Sequence, residues 1–354
     1  MTAVWSQEGA RLFVERDEGK FYFDMPGYFR LGDVHPDLTR LAEVLLFLPW
    51  EPGLADWKFT RKGGGNVGLA YSGGVDSTAC YAILPREKTV CLYHQRDGIP
   101  LKRQTHDGFY TAVAKNGISA IVVKTDCERV RLAHGLSAGF ATDFDQQHPG
   151  GTGIMSAIGL VLLADYLDLG YLCVGQSAAP LYYTGDGRRF RDWGASDDWI
   201  FWRDLFAGAG LAWFCPSFCV TEVGTDAIVR QAGLFAQACV RGHGGAGCGA
   251  CKKCWRKAGH RGELLPLNIE VTNEITRQAG PMFASLIAGP VLHGLTVPGL
   301  ERYAGVDLSW MGGYYRPALE LIPAEWREHT ERELARYLKP MPDGAFESFD
   351  LGAA

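Results

Sequence analysis

The sequence predicts an α/β fold in which a doubly wound, parallel β-sheet carries helices on both faces. Three observations lead to this prediction. Short apolar runs of strand length recur along the chain, segments with helical spacing of apolar residues alternate with them, and a glycine-rich turn joins one strand to a helix at residues 72–77. Strands that are apolar throughout are typical of parallel sheets, because both of their faces are buried. A chain of 354 residues, of which 47% are hydrophobic, can bury the core that such a sheet needs.

The first 66 residues predict an α+β extension ahead of this sheet. Residues 11–15 and 20–24 are rich in apolar side chains and flank a turn that contains glycine, which predicts a β-hairpin. Apolar residues at helical spacing within residues 38–48 predict one helix. The glycines of residues 62–66 indicate a flexible joint, so we place the first domain boundary after residue 66.

The α/β domain itself is predicted to span residues 67–237. Its strands are predicted at residues 67–71, 89–93, 119–124, 171–175 and 213–215, and its helices at residues 78–84, 106–116, 152–168 and 226–237. A four-cysteine segment follows at residues 238–260. The remaining residues, 261–354, form a less regular region with helices predicted at 269–277, 284–292 and 326–338.

Charge and hydropathy argue against two classes of protein. The chain carries 35 basic and 40 acidic side chains, so the basic excess that accompanies nucleic-acid binding is missing. The start of the chain has neither the basic segment nor the apolar segment of a signal peptide. The longest apolar runs are far shorter than the roughly 20 residues that span a bilayer. We therefore expect a cytoplasmic protein with no membrane partner.

The ten cysteines are expected to be thiols or metal ligands rather than disulfides, as is usual in intracellular enzymes. Six of them lie in apolar or mixed segments and are predicted to be buried and inert: Cys80, Cys91, Cys127, Cys173, Cys215 and Cys219. The other four are clustered in the sequence and are considered below.

A glycine pair follows the first predicted strand of the α/β domain, in the segment Ser72-Gly73-Gly74-Val75-Asp76-Ser77. The glycines let backbone N–H groups point inward, and the helix that follows adds its N-terminal partial positive charge. Both serine hydroxyls can donate to an anion. A carboxylate repels phosphate, so Asp76 fits this site best as a ligand of Mg²⁺ that bridges phosphate oxygens. The segment therefore predicts a site for the phosphates of a nucleotide.

No Gly-Lys-Ser/Thr sequence follows this turn, so it is not a Walker loop. It resembles the Ser-Gly-Gly-x-Asp-Ser signature of the PP-loop (N-type) ATP pyrophosphatase family, with every specified position present. The resemblance implies an adenine nucleotide alpha hydrolase-like fold and cleavage of ATP to AMP and pyrophosphate, with Asp76 and Ser77 in catalysis. It also implies that ATP is bound by Leu69, Ala70, Ser72, Gly73, Gly74, Asp76, Ser77, Tyr93 and Gly175.

The four remaining cysteines, Cys239, Cys248, Cys251 and Cys254, have the spacing C-x8-C-x2-C-x2-C. Two-residue gaps let successive thiolates surround one metal ion, and four thiolates complete a tetrahedral Zn²⁺ site of the structural kind. Lys252, Lys253 and Arg256 would offset the negative charge of the thiolates. An iron–sulfur cluster and a set of metal-free thiols remain alternatives.

The two motifs together resemble the 7-cyano-7-deazaguanine synthase family, over roughly residues 67–260. This resemblance implies a ligase that adenylates a carboxylate or carbonyl substrate and forms an amide or nitrile with ammonia. The implied partners are a small carboxylate or heterocycle and ammonia, and a homodimer is one option for the assembly. The best position for an acceptor pocket is residues 175–177, directly after a predicted strand.

Two other functions remain open at this stage. PP-loop proteins also thiolate RNA, but that reaction would call for a reactive Cys-x2-Cys pair and a basic surface, whereas Cys215 and Cys219 are separated by three residues. A sensor that binds the nucleotide without turnover is the third option.

Several polar segments could contribute to a site or only to a loop. Residues 94–97 and 124–126 follow predicted strands, on the side of the sheet where ligands bind in α/β proteins. Lys102 and Arg103 could meet phosphate, and residues 146–152 are expected to cap the helix after them. Three tryptophans among acidic residues predict a packed surface lid or an interface, with a stacking platform for a heterocycle as an alternative: Trp193, Trp199 and Trp202.

Overall fold

The computed structural model describes residues 3–17, 19–47, 56–97, 106–129, 154–183, 190–277 and 283–349. Its strands are β1 (Val4–Glu8), β2 (Arg11–Arg16), β3 (Gly19–Asp24), β4 (Asn66–Ala70), β5 (Thr89–Arg96), β6 (Ala120–Thr125), β7 (Leu169–Val174) and β8 (Ala212–Phe214). They form one sheet in the order β1-β2-β3-β6-β5-β4-β7-β8. The prediction of a mixed α/β protein with a mostly parallel sheet is confirmed.

The five strands from β4 to β8 are parallel to their neighbours, as the apolar runs predicted. In β4 the consecutive residues 67–70 are all buried, which shows that both faces of the sheet are covered. A Cβ on Gly68 would come within 2.9 Å of the Leu160 side chain, so the helix that carries Leu160 packs directly on the strand backbone.

The N-terminal hairpin of β2 and β3 forms as predicted, but it extends the same sheet. β3 pairs antiparallel with β6 through Phe23 opposite Thr125, and β1 adds an outer strand. Sequence analysis missed β1, since none of its five residues is buried and its apolar signal is therefore weak. Its Trp5 nevertheless reaches α1 (Pro36–Phe47), where the indole donates to Glu43 over 2.7 Å.

Strand order reverses next to β4. From β4 the chain proceeds outward to β5 and β6, and it then returns to place β7 and β8 on the other side of β4. The loops after β4 and β7 therefore border the crevice at a topological switch point, where open α/β sheets bind their ligands.

The remaining helices follow α1 in chain order. They are α2 (Val75–Ile83), α3 (Asp107–Asn116), α4 (Ile158–Leu162), α5 (Ala178–Tyr182), α6 (Asp197–Gly208), α7 (Glu222–Gln231), α8 (Lys252–His260), α9 (Ile269–Arg277), α10 (Phe283–Leu292) and α11 (Ala324–Tyr337). The described helices are all too short or too polar to cross a lipid bilayer.

Two predicted helices differ in extent from the observed ones. The helix predicted at 152–168 is α4 preceded by a 3₁₀ turn, and from Leu163 to Asp168 the chain forms turns. Asp168, at the end of these turns, has a left-handed φ of 50°, and its carboxylate accepts from the Gly65 N–H. The helix predicted at 226–237 is α7, which ends before Gly233 at φ 66°.

The three tryptophans expected at a surface lid are instead part of the core. Trp193, Trp199 and Trp202 are 1 to 3% exposed, and the ring centroids of Trp199 and Trp213 are 5.1 Å apart. The acidic residues between them misled the sequence analysis. Asp197 and Asp198 lie in the first turn of α6, where carboxylates favour the helix N-terminus.

Candidate functional site

The glycine loop (residues 72–77) connects β4 to α2 at the switch point. Gly73 has a φ of 72°, and a Cβ there would lie 3.1 Å from both the Phe109 Cα and the Ala112 Cβ, so only glycine fits. The Ser72 Oγ accepts from the Gly74 N–H over 3.3 Å and lies 3.2 Å from the Ser77 Oγ. The loop is thus held in one conformation by its own hydrogen bonds.

The loop after β7 touches the start of α2. A Cβ on Gly175 would lie 2.7 Å from the Ser77 nitrogen, so glycine permits the close approach of the two backbones. Two residues later, the buried Ser177 hydroxyl donates to Glu222 Oε1 over 2.6 Å. The predicted acceptor segment and the glycine loop therefore border the same cleft.

A residue that sequence analysis did not select fixes the glycine loop from the other side. The Gln237 N–H donates to the Gly73 carbonyl over 2.8 Å, and its Nε2 donates to the Ser72 carbonyl over 2.7 Å. Two carbonyls of the loop are thereby held by a residue far away in the sequence. A glutamine in a loop gives no sequence signal for such a role.

Asp76 lies in the cleft beside a second carboxylate, Glu222. The Asp76 Oδ1 accepts from the Thr225 hydroxyl over 2.9 Å. Burial raises the pKa of the Asp76 carboxyl and Glu222 raises it further, whereas the Arg256 guanidinium and the Thr225 hydroxyl act in the opposite direction. A half-buried carboxylate in a cleft, with its pKa raised in part by another carboxylate, is typical of a site that binds a cation or performs chemistry.

The opposite wall of the cleft is basic. Lys253, Arg256 and Lys257 of α8 line the same cavity of about 170 Å³ as Ser72, Gly74, Asp76, Ser77 and Gly175. We call these three side chains the cationic face of α8. Burial and the neighbouring Arg256 charge lower the pKa of Lys257 to about 8, and the same two causes lower the pKa of Lys253.

The cationic face has no carboxylate in salt-bridge contact. Among the described residues, Lys253, Arg256 and Lys257 form no ion pair, and the Arg256 Nε is buried without a hydrogen-bond partner. The Lys257 ammonium donates to the carbonyls of Gln237 and Ala238 over 2.9 and 2.8 Å. An anion bound in the cleft would offset the Arg256 charge, which helps to lower the pKa of both lysines.

The four clustered cysteines could hold a metal ion. Their four Sγ atoms lie within 4.8 Å of one another, with 3.6 Å between Cys251 and Cys254 and 3.9 Å between Cys248 and Cys254. Thiolates bound to one tetrahedral Zn²⁺ at about 2.3 Å are about 3.8 Å apart, so the observed set fits that ion. Burial opposes ionisation of Cys239, but the N–H groups of Cys248 and Arg241 lower the pKa of its thiol to about 7.

This cluster positions α8. Cys251 is the N-cap of the helix and Cys254 lies in its first turn, so the cysteines and the cationic face share one short helix. Lys252, which sequence analysis grouped with Lys253 and Arg256, points elsewhere and pairs with Glu274 over 2.5 Å. Lys253 and Arg256 line the cleft, so their positive charges act on the cleft as well as on the thiolates.

The structure places some predicted ATP contacts outside the cleft. Leu69 and Ala70 are buried in β4, and Tyr93 stacks on Phe109 at 3.8 Å while its hydroxyl lies 2.6 Å from the His106 Nδ1. These three residues are not among the described residues that line the cleft, and their contact with adenine stays a prediction.

The other polar segments have structural partners or lie outside the described residues. Arg96 pairs with the buried Glu128, and Lys124 pairs with Asp97 over 3.1 Å. Lys102, Arg103 and residues 146–152 lie outside the described residues. All six cysteines that were predicted to be buried are buried, Cys215 and Cys219 among them, so neither presents a thiol to solvent.

A larger cavity of about 750 Å³ lies elsewhere, between α6 and the C-terminal segment. Trp199, Trp213 and Tyr315 contribute to its lining, and its arginines are already paired: Arg203 with Asp204 and Arg327 with Glu320. We therefore take the smaller cleft as the candidate site, since the three basic side chains of its cationic face form no ion pair with other described residues.

Comparison with known proteins finds similarity to a family model in part of the chain only, and no function. A family model described as a family of unknown function, DUF6395, matches residues 201–274 and 299–349. No curated protein and no solved structure matches the chain. The matched residues include α7 and α8, which carry Glu222 and the cationic face, whereas the glycine loop at 72–77 lies outside the match.

Proposed function

We propose that this protein is an ATP-dependent ligase that cleaves ATP to AMP and pyrophosphate and so activates a carboxylate or carbonyl substrate. The observation that supports this most strongly is that the glycine loop and the cationic face of α8 line one cleft at the switch point of the sheet. The parallel strand order and the strand–loop–helix position of Ser72–Ser77 favour an adenine nucleotide alpha hydrolase-like fold.

The cleft suits a polyphosphate because it offers two kinds of positive group. The loop N–H groups and the N-terminus of α2 supply fixed dipoles, and Lys253, Arg256 and Lys257 supply full charges. In the proposed complex the pyrophosphate portion of ATP lies between these walls. Its negative charge would relieve the repulsion among the three cations and give the buried Arg256 Nε an acceptor.

Asp76 is the residue proposed to hold Mg²⁺. Its carboxylate is an oxygen ligand of the kind that Mg²⁺ prefers, and Glu222 nearby adds negative potential. Bound there, the ion would neutralise charge that develops on the leaving pyrophosphate. The pKa of Asp76 is raised, and a cation bound there would favour the ionised carboxylate and so lower that pKa again.

The acceptor substrate is proposed to lie beside Gly175–Ser177. Ser177 is held by Glu222, and Glu222 also accepts from the Ser285 hydroxyl, so the polar groups at this end of the cleft are oriented in advance. Once the oxygen of the carboxylate or carbonyl is adenylated, ammonia can attack the carbon, with AMP as the leaving group. The enzyme needs no nucleophilic side chain for this reaction, and the product is an amide. A second ATP that adenylates the amide oxygen, which then leaves with AMP, would convert the amide to a nitrile.

The four-cysteine cluster is proposed to hold a structural Zn²⁺. All four ligands are thiolates, and Cys239, Cys251 and Cys254 are buried, which matches a closed site rather than a catalytic one. The ion would anchor the first turn of α8 and thus the cationic face.

The test is release of AMP and pyrophosphate from Mg-ATP by the purified protein, with ammonium and a panel of small carboxylates and heterocyclic acids. Asp76→Asn, which removes the charge and keeps the shape, is expected to lower the rate by about 100-fold or more because Mg²⁺ loses its ligand. Asp204→Asn, an exposed acid paired with Arg203 on α6, is the control and should leave the rate unchanged.

A carboxylate-dependent rate that survives Asp76→Asn would contradict the role given to Asp76. Tight binding of ATP without AMP formation under every mixture would contradict the ligase and favour a sensor.

A further inference from the structure

A second cluster of thiols lies in the core beneath the cleft. Cys80 of α2, Cys173 of β7 and Cys215 after β8 bring their Sγ atoms within 4.8 Å of one another, although they are far apart in the sequence. The Cys80 and Cys215 sulfurs are 3.3 Å apart, and those of Cys173 and Cys215 are 3.7 Å apart. All three residues are fully buried. We call them the core thiol trio.

A hydroxyl completes the group. The Ser217 Oγ lies 3.0 Å from the Cys215 sulfur and 3.4 Å from the Cys80 sulfur. It donates its proton to the Gln176 carbonyl over 2.6 Å, so its lone pairs face the sulfurs. Three sulfurs and one oxygen thus converge from separate elements of the fold.

We propose that the core thiol trio and Ser217 form a second zinc site. Thiolates on one tetrahedral Zn²⁺ are about 3.8 Å apart. The distance between Cys173 and Cys215 already matches this spacing and resembles the 3.6 Å between Cys251 and Cys254 in the four-cysteine cluster. The contact between Cys80 and Cys215 would have to widen by about half an ångström, which a change of side-chain torsion can supply.

The net charge selects the ion among thiophilic metals. Soft thiolate ligands favour Zn²⁺, Cu⁺ or iron–sulfur clusters. Three thiolates leave a net charge of about −1 around Zn²⁺ and about −2 around Cu⁺, and the cost of burying charge rises steeply with its size. Zn²⁺ would displace the thiol protons as it binds, so zinc uptake at this site should be accompanied by proton release.

The proposed zinc site lies close in sequence to both backbones that meet beneath the cleft. Cys80 lies three residues after Ser77, and Cys173 lies two residues before Gly175, so both sides of the close contact beneath the cleft would be joined by one ion. The metal would hold α2 against β7 and β8 and fix the glycine loop from below. This inference does not depend on ATP chemistry.

The experiment measures zinc per chain. Because the site is enclosed, the full-length chain is unfolded with reductant, refolded with excess zinc sulfate and freed of unbound metal. Wild type is expected to hold about two zinc ions, one in each thiol cluster. Cys80→Ala and Cys173→Ala are each expected to hold about one. Cys91→Ala, a buried thiol of β5 outside both clusters, is the matched control and should keep about two.

Circular dichroism and the zinc left in the four-cysteine cluster show whether each variant has refolded. About one zinc per wild-type chain, with all ten thiols reduced, would overturn the second site. A second zinc that persists in both trio variants would overturn it equally. Cys251→Ser supplies the reverse test, since one zinc should remain in the core after the four-cysteine cluster has lost its own.

Discussion

The two walls of the cleft are built in opposite ways. The glycine loop is six consecutive residues between a strand and a helix, and its shape is set by Gly73 and by hydrogen bonds among near neighbours, with Gln237 as an added support. The cationic face is carried by a short helix of nine residues that starts at the four-cysteine cluster. The comparison teaches that the loop is stabilised by the main sheet, whereas the cationic face depends on the cysteine cluster. The variants below test this difference, in order of expected effect.

Cys251→Ser is expected to have the largest effect, because it removes a metal ligand and the N-cap of α8 together. We expect loss of zinc from that cluster and a fall in affinity for a non-hydrolysable Mg-ATP analogue on the order of 100-fold, since all three cations lose their anchor. Zinc analysis and calorimetric titration are the measurements. If the variant loses this zinc but keeps its affinity for the analogue, α8 holds its position without the metal.

Arg256→Ala separates the charge of the cationic face from its anchor. The Arg256 Nε is buried and has no hydrogen-bond partner among the described residues, so we expect the guanidinium to bind phosphate through charge-assisted hydrogen bonds. Its loss should weaken analogue binding by about ten- to one-hundred-fold, with zinc content unchanged. Arg261→Ala, at the exposed end of the same helix, is the control. If both variants bind the analogue equally well, Arg256 does not contact the phosphates.

The pH dependence of nucleotide binding tests Lys257. Its pKa is lowered to about 8 by burial and by Arg256, with Lys253 acting in the same direction and Asp76 and Asp226 against it. The charged amine binds phosphate, so the affinity for the nucleotide analogue should fall as the pH rises above about 8. Lys257→Met should bind more weakly below pH 8 and lose this slope. A slope that is unchanged in Lys257→Met would assign the titration to another group.

Gln237→Ala probes the loop wall and should have the smallest effect. It removes one hydrogen bond to the Ser72 carbonyl and leaves the backbone bond to Gly73 in place. We expect a loss of about 1 kcal/mol, or roughly fivefold in analogue affinity, because the loop keeps its other constraints. Gln231→Ala, which loses a similar bond to the Tyr337 carbonyl on the exposed side of α7, should bind normally.

Features that depend on near neighbours were predictable from the sequence. The apolar runs gave the parallel strands to within a few residues, and the glycine loop and the four cysteines could be located from their spacing. Helix ends were less predictable: the predicted 152–168 helix ends at Leu162, and the turns that follow lead to Asp168, which binds the distant Gly65. The tryptophans of α6 were misplaced because their burial depends on partners such as Trp213.

The sequence by itself determined the alternation of strands and helices, the strand–loop–helix junction at Ser72–Ser77 and the four-cysteine cluster, because each arises from residues close together in the chain. Only the tertiary structure placed Glu222, Arg256 and Lys257 around Asp76 and gathered Cys80, Cys173 and Cys215 in the core. Those groups are brought together by strand order and helix packing over separations that no local pattern records. The charge of the cleft and the core thiol trio are therefore properties of the fold.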